Sequence, residues 1–216
     1  SAAAQTAETV TIPFRGKFNP NQEYFLNVRM LAGPHPLFAK DFPMGSEQFR
    51  VHDGQVWTPK PVKGKQLQVE ENDTEIILFS KDVRFVLNKE TGIVTEYQYK
   101  GQSFFHEGFG LRPNFWRAPT DNDYGNGAPK RLQIWKTSSQ EWTVAALDQK
   151  VTPTAITLSI TYALPAGNNY CVAYEVRNDG IIRVDASLGA GTETAEIPRV
   201  GFRFRVPKSM NQVTYY

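Results

Sequence analysis

The sequence predicts an all-β protein. About a third of its 216 residues are Val, Ile, Thr or aromatic, the types that fit a pleated, half-buried sheet surface. The 16 glycines and 14 prolines are spread along the chain, so that turns recur at short intervals. Between these turns, apolar and polar residues alternate with a period of two in most segments, which is typical of strands with one buried face.

The N-terminal region predicts three strands. Val10, Ile12 and Phe14 alternate with polar residues, and residues 24–30 and 47–51 form two further runs. An immunoglobulin-like sandwich takes about seven strands over roughly 100 residues. We therefore expect this region to be only a portion of a sandwich.

Residues 53–65, DGQVWTPKPVKGK, predict a domain boundary. The stretch holds two prolines, two glycines and three lysines, a composition that is typical of a linker. We therefore predict two domains, 1–62 and 63–216.

The sequence of the second domain indicates a succession of antiparallel hairpins, because its apolar runs are joined by short turns rich in Asn, Asp, Gly and Lys. The runs are 67–70, 75–79, 83–87, 93–99, 102–105, 142–147, 155–164, 170–176, 181–188 and 200–206. Residues 128–138 show helical spacing, with Leu132 and Trp135 on one side, and predict one short helix.

The composition excludes several function classes. With 24 Lys and Arg against 22 Asp and Glu, the net charge of +2 gives no basis for binding nucleic acid or a membrane surface. No run approaches the roughly 18 apolar residues of a membrane helix. The single cysteine, Cys171, excludes an internal disulfide and a zinc site built from cysteines. We expect a soluble protein without a metal site of its own.

One segment, 114–127, combines aromatic, basic, acidic and amide side chains in what we predict to be an irregular loop. An aromatic face with planar polar groups suits a sugar. The candidate substrate-binding residues are Asn114, Trp116, Arg117, Asp121, Asn122 and Asp123.

Two other interpretations of this segment remain open. In a purely structural one, Asp121 and Asn122 satisfy the turn backbone, Arg117 pairs with one carboxylate, and Trp116 is part of the core. In the other, Asp121 and Asp123 hold a Ca²⁺ or Na⁺ ion together with backbone carbonyls.

No pair of acidic residues is placed for glycoside hydrolysis, which needs two carboxyl groups on opposite sides of the scissile bond. Asp121 and Asp123 lie on one short loop and could hardly flank a sugar. A sugar mutarotase needs a general acid and a general base, and His106 with Glu107 is the only local pair of that kind. Adjacent residues on a strand point to opposite faces of the sheet, which argues against His106 and Glu107 acting together as the acid and base of a mutarotase. We predict no catalytic residue.

The run NFWRAPTDNDYG at 114–125 resembles a stretch of the large β-galactosidases of glycoside hydrolase family 2, FWRAP followed by DND and a glycine. Residues 197–207, with IPRVG and FRVP, are similar to a strand of that family. Residues 87–94, LNKETGIV, are similar to one of its hairpins. The resemblance covers 66–216 well and extends more weakly to about residue 9.

The resemblance implies a C-terminal portion of such an enzyme. Residues 1–62 would close its second immunoglobulin-like sandwich, and 63–216 would begin its β-supersandwich, a small-chain domain with a galactose-mutarotase-like fold. The family's catalytic glutamates belong to a (β/α)₈ barrel, which alone takes about 250 residues. None of its motifs occurs here, so we expect this chain by itself to be inactive.

The resemblance also implies the setting. The chain would support the catalytic barrel of a β-galactosidase and the rim of its sugar pocket, with β-galactosides as substrates of the intact enzyme. The parent would be a homo-oligomer in the cytoplasm or periplasm of a bacterium, with Mg²⁺ and Na⁺ bound in the barrel. The alternatives are a free-standing carbohydrate-binding or mutarotase-like module and a structural or assembly domain without any sugar contact.

Overall fold

A computed structural model describes residues 5–13, 16–54, 65–191 and 195–214. The chain divides into two compact units, Ser1–Lys60 and Pro61–Tyr216. Most of the stretch that predicts a linker, 55–64, lies outside the described residues.

The first unit contains an antiparallel hairpin. Its strands are β1 (Tyr24–Leu31) and β2 (Pro43–His52), and Leu26 lies opposite Phe49. The backbone amide of Ala32 donates to the carbonyl oxygen of Phe42 at 2.8 Å, which closes the long connection between the strands. Both strands predicted at 24–30 and 47–51 are present.

The strand predicted around Val10 and Ile12 is not formed. Both side chains are exposed and neither residue belongs to a strand, while Phe14 lies outside the described residues. Alternation alone does not make a strand, because the backbone also needs a neighbouring strand for its hydrogen bonds.

The second unit begins with a sheet in which each strand pairs with the next along the chain. It is antiparallel throughout, and its strands are β3 (Gln68–Glu71), β4 (Glu75–Phe79), β5 (Val83–Asn88), β6 (Val94–Tyr99) and β7 (Gln102–Ser103). Between β5 and β6, the side-chain oxygen of Asn88 accepts hydrogen bonds from the amide and hydroxyl of Thr91 at 2.9 and 2.7 Å. Gly92 then supplies a φ of 68°, which glycine adopts without strain.

A second sheet of four antiparallel strands follows. Its strands are β9 (Thr143–Val151), β10 (Ala155–Ala163), β11 (Asn169–Arg177) and β12 (Ile182–Gly189). A short separate pair joins β8 (Arg112–Asn114), which lies before β9 in the chain, to β13 (Gly201–Arg203). The strand predicted over 200–206 is therefore shorter than expected.

The two larger sheets pack face to face around one core. Buried positions alternate along β4, β10 and β11, as a sheet with one buried face requires. The hydroxyl of Tyr162 donates to the carbonyl oxygen of Gly92 at 2.6 Å. The hydroxyl of Tyr97 donates to the carbonyl oxygen of Gly180, also at 2.6 Å. These bonds join the sheets at the ends of the sandwich. The all-β fold class is confirmed.

The helical segment carries three short helices: α1 (Asp121–Gly125), α2 (Ala128–Arg131) and α3 (Gln133–Ser138). The helix predicted at 128–138 is present, although Leu132 interrupts it. Trp135 of α3 is fully buried, and its indole N–H donates to the carbonyl oxygen of Ala195 at 2.9 Å. None of the helices within the described ranges is long and apolar enough to cross a membrane.

Candidate functional site

The candidate segment leaves the core at Asn114, the last residue of β8. Asn114 is buried and lies opposite Gly201 of β13. The next amide, that of Phe115, donates to the hydroxyl oxygen of Ser139 at 2.8 Å, and this hydroxyl donates to the carbonyl oxygen of Trp135 at 2.7 Å. The segment therefore begins at a fixed point next to α3.

Arg117 and Asp123 form the central contact of the segment. Both terminal nitrogens of the guanidinium donate to the carboxylate, Nη1 to Oδ2 at 2.5 Å and Nη2 to Oδ1 at 2.9 Å. This forked geometry is the strongest way in which the two groups can pair. The Asp123 side chain is only 16% exposed, so the pair lies partly sheltered from water.

The Asp123 carboxylate also fixes the start of α1. Its Oδ2 accepts the backbone N–H of Thr120 at 2.7 Å and the Thr120 hydroxyl at 3.0 Å. The hydrogen bonds from Arg117, and then those from Thr120, hold the pKa of Asp123 far below its usual value. The carboxylate is thus ionised and fully engaged, which suits neither a general acid nor a cation ligand.

The irregular loop predicted here is therefore wrong for residues 121–125, which form a helical turn. A residue such as Asp123, three positions after an N-cap Thr, can accept the N-cap amide and stabilise the first turn. The DNDYG run has no apolar periodicity that would reveal such a turn.

Asp121 and Asn122 lie on the exposed side of α1. Their side chains have no hydrogen-bond partner among the residues that the structure describes. Unlike Asp123, they are free to contact a molecule outside this chain. Four of the six predicted residues thus separate into a structural pair, Arg117 and Asp123, and an exposed pair, Asp121 and Asn122.

Trp116 is half-buried and lines a shallow depression whose volume is only about 10 Å³. The lining is mostly apolar and consists of Trp116, Arg117, Pro119, Asp123, Ala128, Pro129, Leu132 and Pro198. The depression is smaller than the roughly 300–1,000 Å³ of an ordinary ligand pocket. It can contribute one wall to a site, but it cannot enclose a sugar.

His106 and Glu107 do not lie on a strand, so the expectation that they point to opposite faces is wrong. They occupy a turn in which Glu107 has a φ of 49°, and Nε2 of His106 lies 3.7 Å from Oε2 of Glu107. The side chains are 50% and 79% exposed. Water therefore screens their interaction, and the pair lacks the enclosed setting of a catalytic acid and base.

Within the described ranges, no three His, Cys, Asp or Glu side chains lie close enough together to hold a metal ion.

The fold also brings together four residues that the sequence analysis did not single out, namely Phe109, Arg112, Arg203 and Arg205. Their only signal in the sequence is the alternation of arginine and phenylalanine in FRFR at 202–205.

Part of the chain matches a known protein family. Residues 79–216 match the sequence profile of the family described as Beta galactosidase small chain, and this range includes the whole candidate segment. The chain belongs to the β-galactosidase small-chain family. The predicted resemblance to a C-terminal portion of a β-galactosidase is confirmed.

Three curated relatives illustrate the similarity, and each is named Beta-galactosidase. The protein of Priestia megaterium is 26% identical over 210 residues, which are 96% of this chain and 20% of the relative. That of Clostridium acetobutylicum is 27% identical over 224 residues, covering 100% of this chain and 24% of the relative. That of Actinobacillus pleuropneumoniae is 24% identical over 231 residues, covering 100% and 22%. This small-chain family member thus spans less than a quarter of the length of these relatives.

Proposed function

We propose that the chain is a non-catalytic part of a β-galactosidase. The intact enzyme hydrolyses terminal β-D-galactosides. This part supports the catalytic barrel and contributes to the rim of the sugar pocket. The remainder of the enzyme is then its partner, in a bacterial homo-oligomer of the cytoplasm or periplasm, and any Mg²⁺ or Na⁺ belongs to that remainder.

One observation carries the proposal. Nearly all of this chain aligns with a segment of proteins named Beta-galactosidase, and that segment is about a fifth of the length of each of them. The geometry of the candidate segment supports a contributing role. Its best-placed carboxylate, Asp123, is occupied by Arg117, and the depression beside Trp116 is one-sided. Hydrolysis needs two carboxyl groups across the bond, and this segment does not supply them.

We assign different roles to the six candidate residues. Asn114, Arg117 and Asp123 hold the segment in place through the contacts described above. Trp116, Asp121 and Asn122 are available to face the sugar, since an aromatic face and exposed polar groups are the usual means of sugar contact.

A chimaera tests this proposal. In the Priestia megaterium relative, the matched 210-residue segment is replaced by this chain, and the relative without that segment is the control. We expect the chimaera, and not the control, to hydrolyse o-nitrophenyl β-D-galactoside. A folded, soluble chimaera without activity would contradict the proposal.

A pair of variants in the chimaera tests the rim. Asp121→Ala is expected to raise KM several-fold with little change in kcat, because a rim contact binds ground state and transition state alike. Asp73→Ala, an exposed carboxylate in the turn between β3 and β4, is the matched control. Equal kinetics for the two variants would exclude Asp121 from the pocket.

The free-standing carbohydrate-binding or mutarotase-like module is not favoured. Relatives that match 96% and 100% of the chain are named Beta-galactosidase, and His106 and Glu107 lie on an open turn.

A further inference from the structure

Three guanidinium groups gather around one phenylalanine on the surface of the second unit. The guanidinium carbons of Arg112 and Arg205 lie 4.1 and 4.3 Å from the ring centroid of Phe109, and that of Arg203 lies 5.9 Å away. We call these four residues the arginine cluster. Cation–π contacts at such distances offset part of the repulsion among the three charges.

Two strands that are far apart in sequence build the arginine cluster. Arg112 of β8 lies directly opposite Arg203 of β13 in the antiparallel register. Just beyond β13, the backbone amide of Arg205 donates to the carbonyl oxygen of Phe109 at 2.9 Å. The positions of the three arginines are therefore set by backbone pairing and not by flexible side chains alone.

The arginine cluster has no counter-ion within the described residues, where none of its arginines forms an ion pair. Nε of Arg112 is buried without a hydrogen-bond partner there. Burial first, and then the charges of Arg203 and Arg205, lower the pKa of Arg112. Unlike Arg117, which pairs with Asp123, these arginines have donors left for an incoming anion.

The exposure of the arginine cluster indicates what that anion is. Arg203 and Arg205 are exposed, so a small anion bound there must compete with water and salt. A protein segment with two or more carboxylates can engage several guanidinium groups at once, and each forked contact adds strength and direction. Arginine and aromatic residues are also the types enriched in protein–protein contacts.

We propose that the arginine cluster is the docking site for an acidic segment of a protein. Since this chain covers only 20–24% of the relatives named above, the segment is assigned to the remainder of the β-galactosidase polypeptide. That assignment rests on the proposed function. At least two carboxylates of the segment pair with Arg112, Arg203 and Arg205, and a neighbouring apolar side chain covers the ring of Phe109.

A peptide titration tests this docking site on the 216-residue chain. The probe is a fluorescein-labelled peptide, GDLEDLG, and its uncharged counterpart is GNLQNLG. Fluorescence anisotropy is measured for the wild type, for a cluster variant (Arg112→Gln, Arg203→Gln, Arg205→Gln) and for a control variant (Lys130→Gln, Lys136→Gln, Lys150→Gln). The control loses the same charge at exposed positions elsewhere in the unit.

We expect the acidic peptide to bind the wild type and the control equally, and the cluster variant at least about tenfold more weakly. The uncharged peptide should not bind. Equal binding by all three proteins, equal losses in both variants, or displacement of the peptide by inorganic phosphate at matched charge concentration would overturn the proposal.

Hydrogen exchange of the wild type covers the case in which the cluster variant fails to fold. Added acidic peptide should protect amides near 109–112 and 203–206, and protection that is absent or confined to other regions would overturn the docking site. Neither measurement uses a galactoside. Failure of the docking site is therefore distinguishable from failure of the chimaera described above.

Discussion

The guanidinium group of Arg117 binds both carboxylate oxygens of Asp123, at 2.5 and 2.9 Å, across the turn that leads from the core into α1. The same carboxylate accepts the amide and hydroxyl of Thr120. A stretch that is rich in polar residues, and that invites interpretation as a ligand site, is thus held in shape by its own side chains. The surface that remains for a ligand consists of Trp116 and the exposed first turn of α1.

Replacing Asp123 should destabilise the second unit. Asp123→Asn removes the charged partner of Arg117 and weakens the cap on α1, so we expect the melting temperature to fall by about 2–4 °C. Asp121→Asn is the control, because the Asp121 side chain is exposed and makes none of these bonds. Thermal unfolding followed by circular dichroism measures both. Equal effects of the two substitutions would contradict the structural role of Asp123.

The stabilisation from Asp123 should depend on pH. Its pKa is lower in the folded chain than the ordinary value of about 4, so its contribution is present above pH 4 and is lost as the pH falls towards the folded-state pKa. The difference in melting temperature between the wild type and Asp123→Asn should therefore be constant from about pH 7 to 5 and shrink below about pH 4. A difference that stays constant or grows down to about pH 3 would be inconsistent with this carboxylate as its source.

Two buried tyrosines in the core should respond in opposite ways to loss of the hydroxyl. Tyr162→Phe leaves the carbonyl oxygen of Gly92 without its 2.6 Å donor, and we expect a loss of about 1–2 kcal/mol in the free energy of unfolding. The hydroxyl of Tyr170 is buried and has no partner among the described residues, and burial raises the pKa of Tyr170 to about 12. Tyr170→Phe should be neutral or stabilising, because it removes an unsatisfied polar group.

Urea unfolding of the two variants checks this pair. Both substitutions remove one hydroxyl from the same core cluster and leave the ring, so they are closely matched. A loss for Tyr170→Phe as large as that for Tyr162→Phe, or larger, would contradict a stabilising contribution of the bond to Gly92.

Gly110 should be nearly irreplaceable for steric reasons. A methyl group at Gly110 would overlap the backbone carbonyl oxygen of Val94 in β6, which cannot move without disturbing the sheet. We expect Gly110→Ala to cost about 3 kcal/mol or more, or to prevent folding. Gly101→Ala is the control. It faces open space and carries only the strain of a φ of 79°, about 1 kcal/mol. Similar urea midpoints for the two variants would refute this close approach.

The hairpins of the second unit could be predicted because their determinants are local. Asn178-Asp179-Gly180 joins two alternating runs, and in the structure Gly180 supplies a φ of 84° between β11 and β12. By contrast, α1 depends on contacts among Arg117, Thr120 and Asp123 that no hydrophobic periodicity reveals. That Arg117 pairs with a carboxylate could be predicted from composition, whereas the identity of that carboxylate needed the fold.

The arginine cluster lies beyond local prediction for a related reason. Arg112 and Arg203 meet only because β8 pairs with β13, and the long separation of these strands in the sequence gives no sign of their register. Similarly, the alternation at Val10 and Ile12 predicts a strand, yet within the described residues neither belongs to one, since a strand also needs a neighbour for its backbone hydrogen bonds.

Hydrolysis of o-nitrophenyl β-D-galactoside by the purified 216-residue chain is the most direct test of the central claim, that this chain is a non-catalytic part of a β-galactosidase. We predict no release of o-nitrophenol above the rate in buffer, even at high protein concentration. Turnover that follows the concentration of the chain would contradict the account, and it would show that this chain carries two catalytic carboxyl groups of its own.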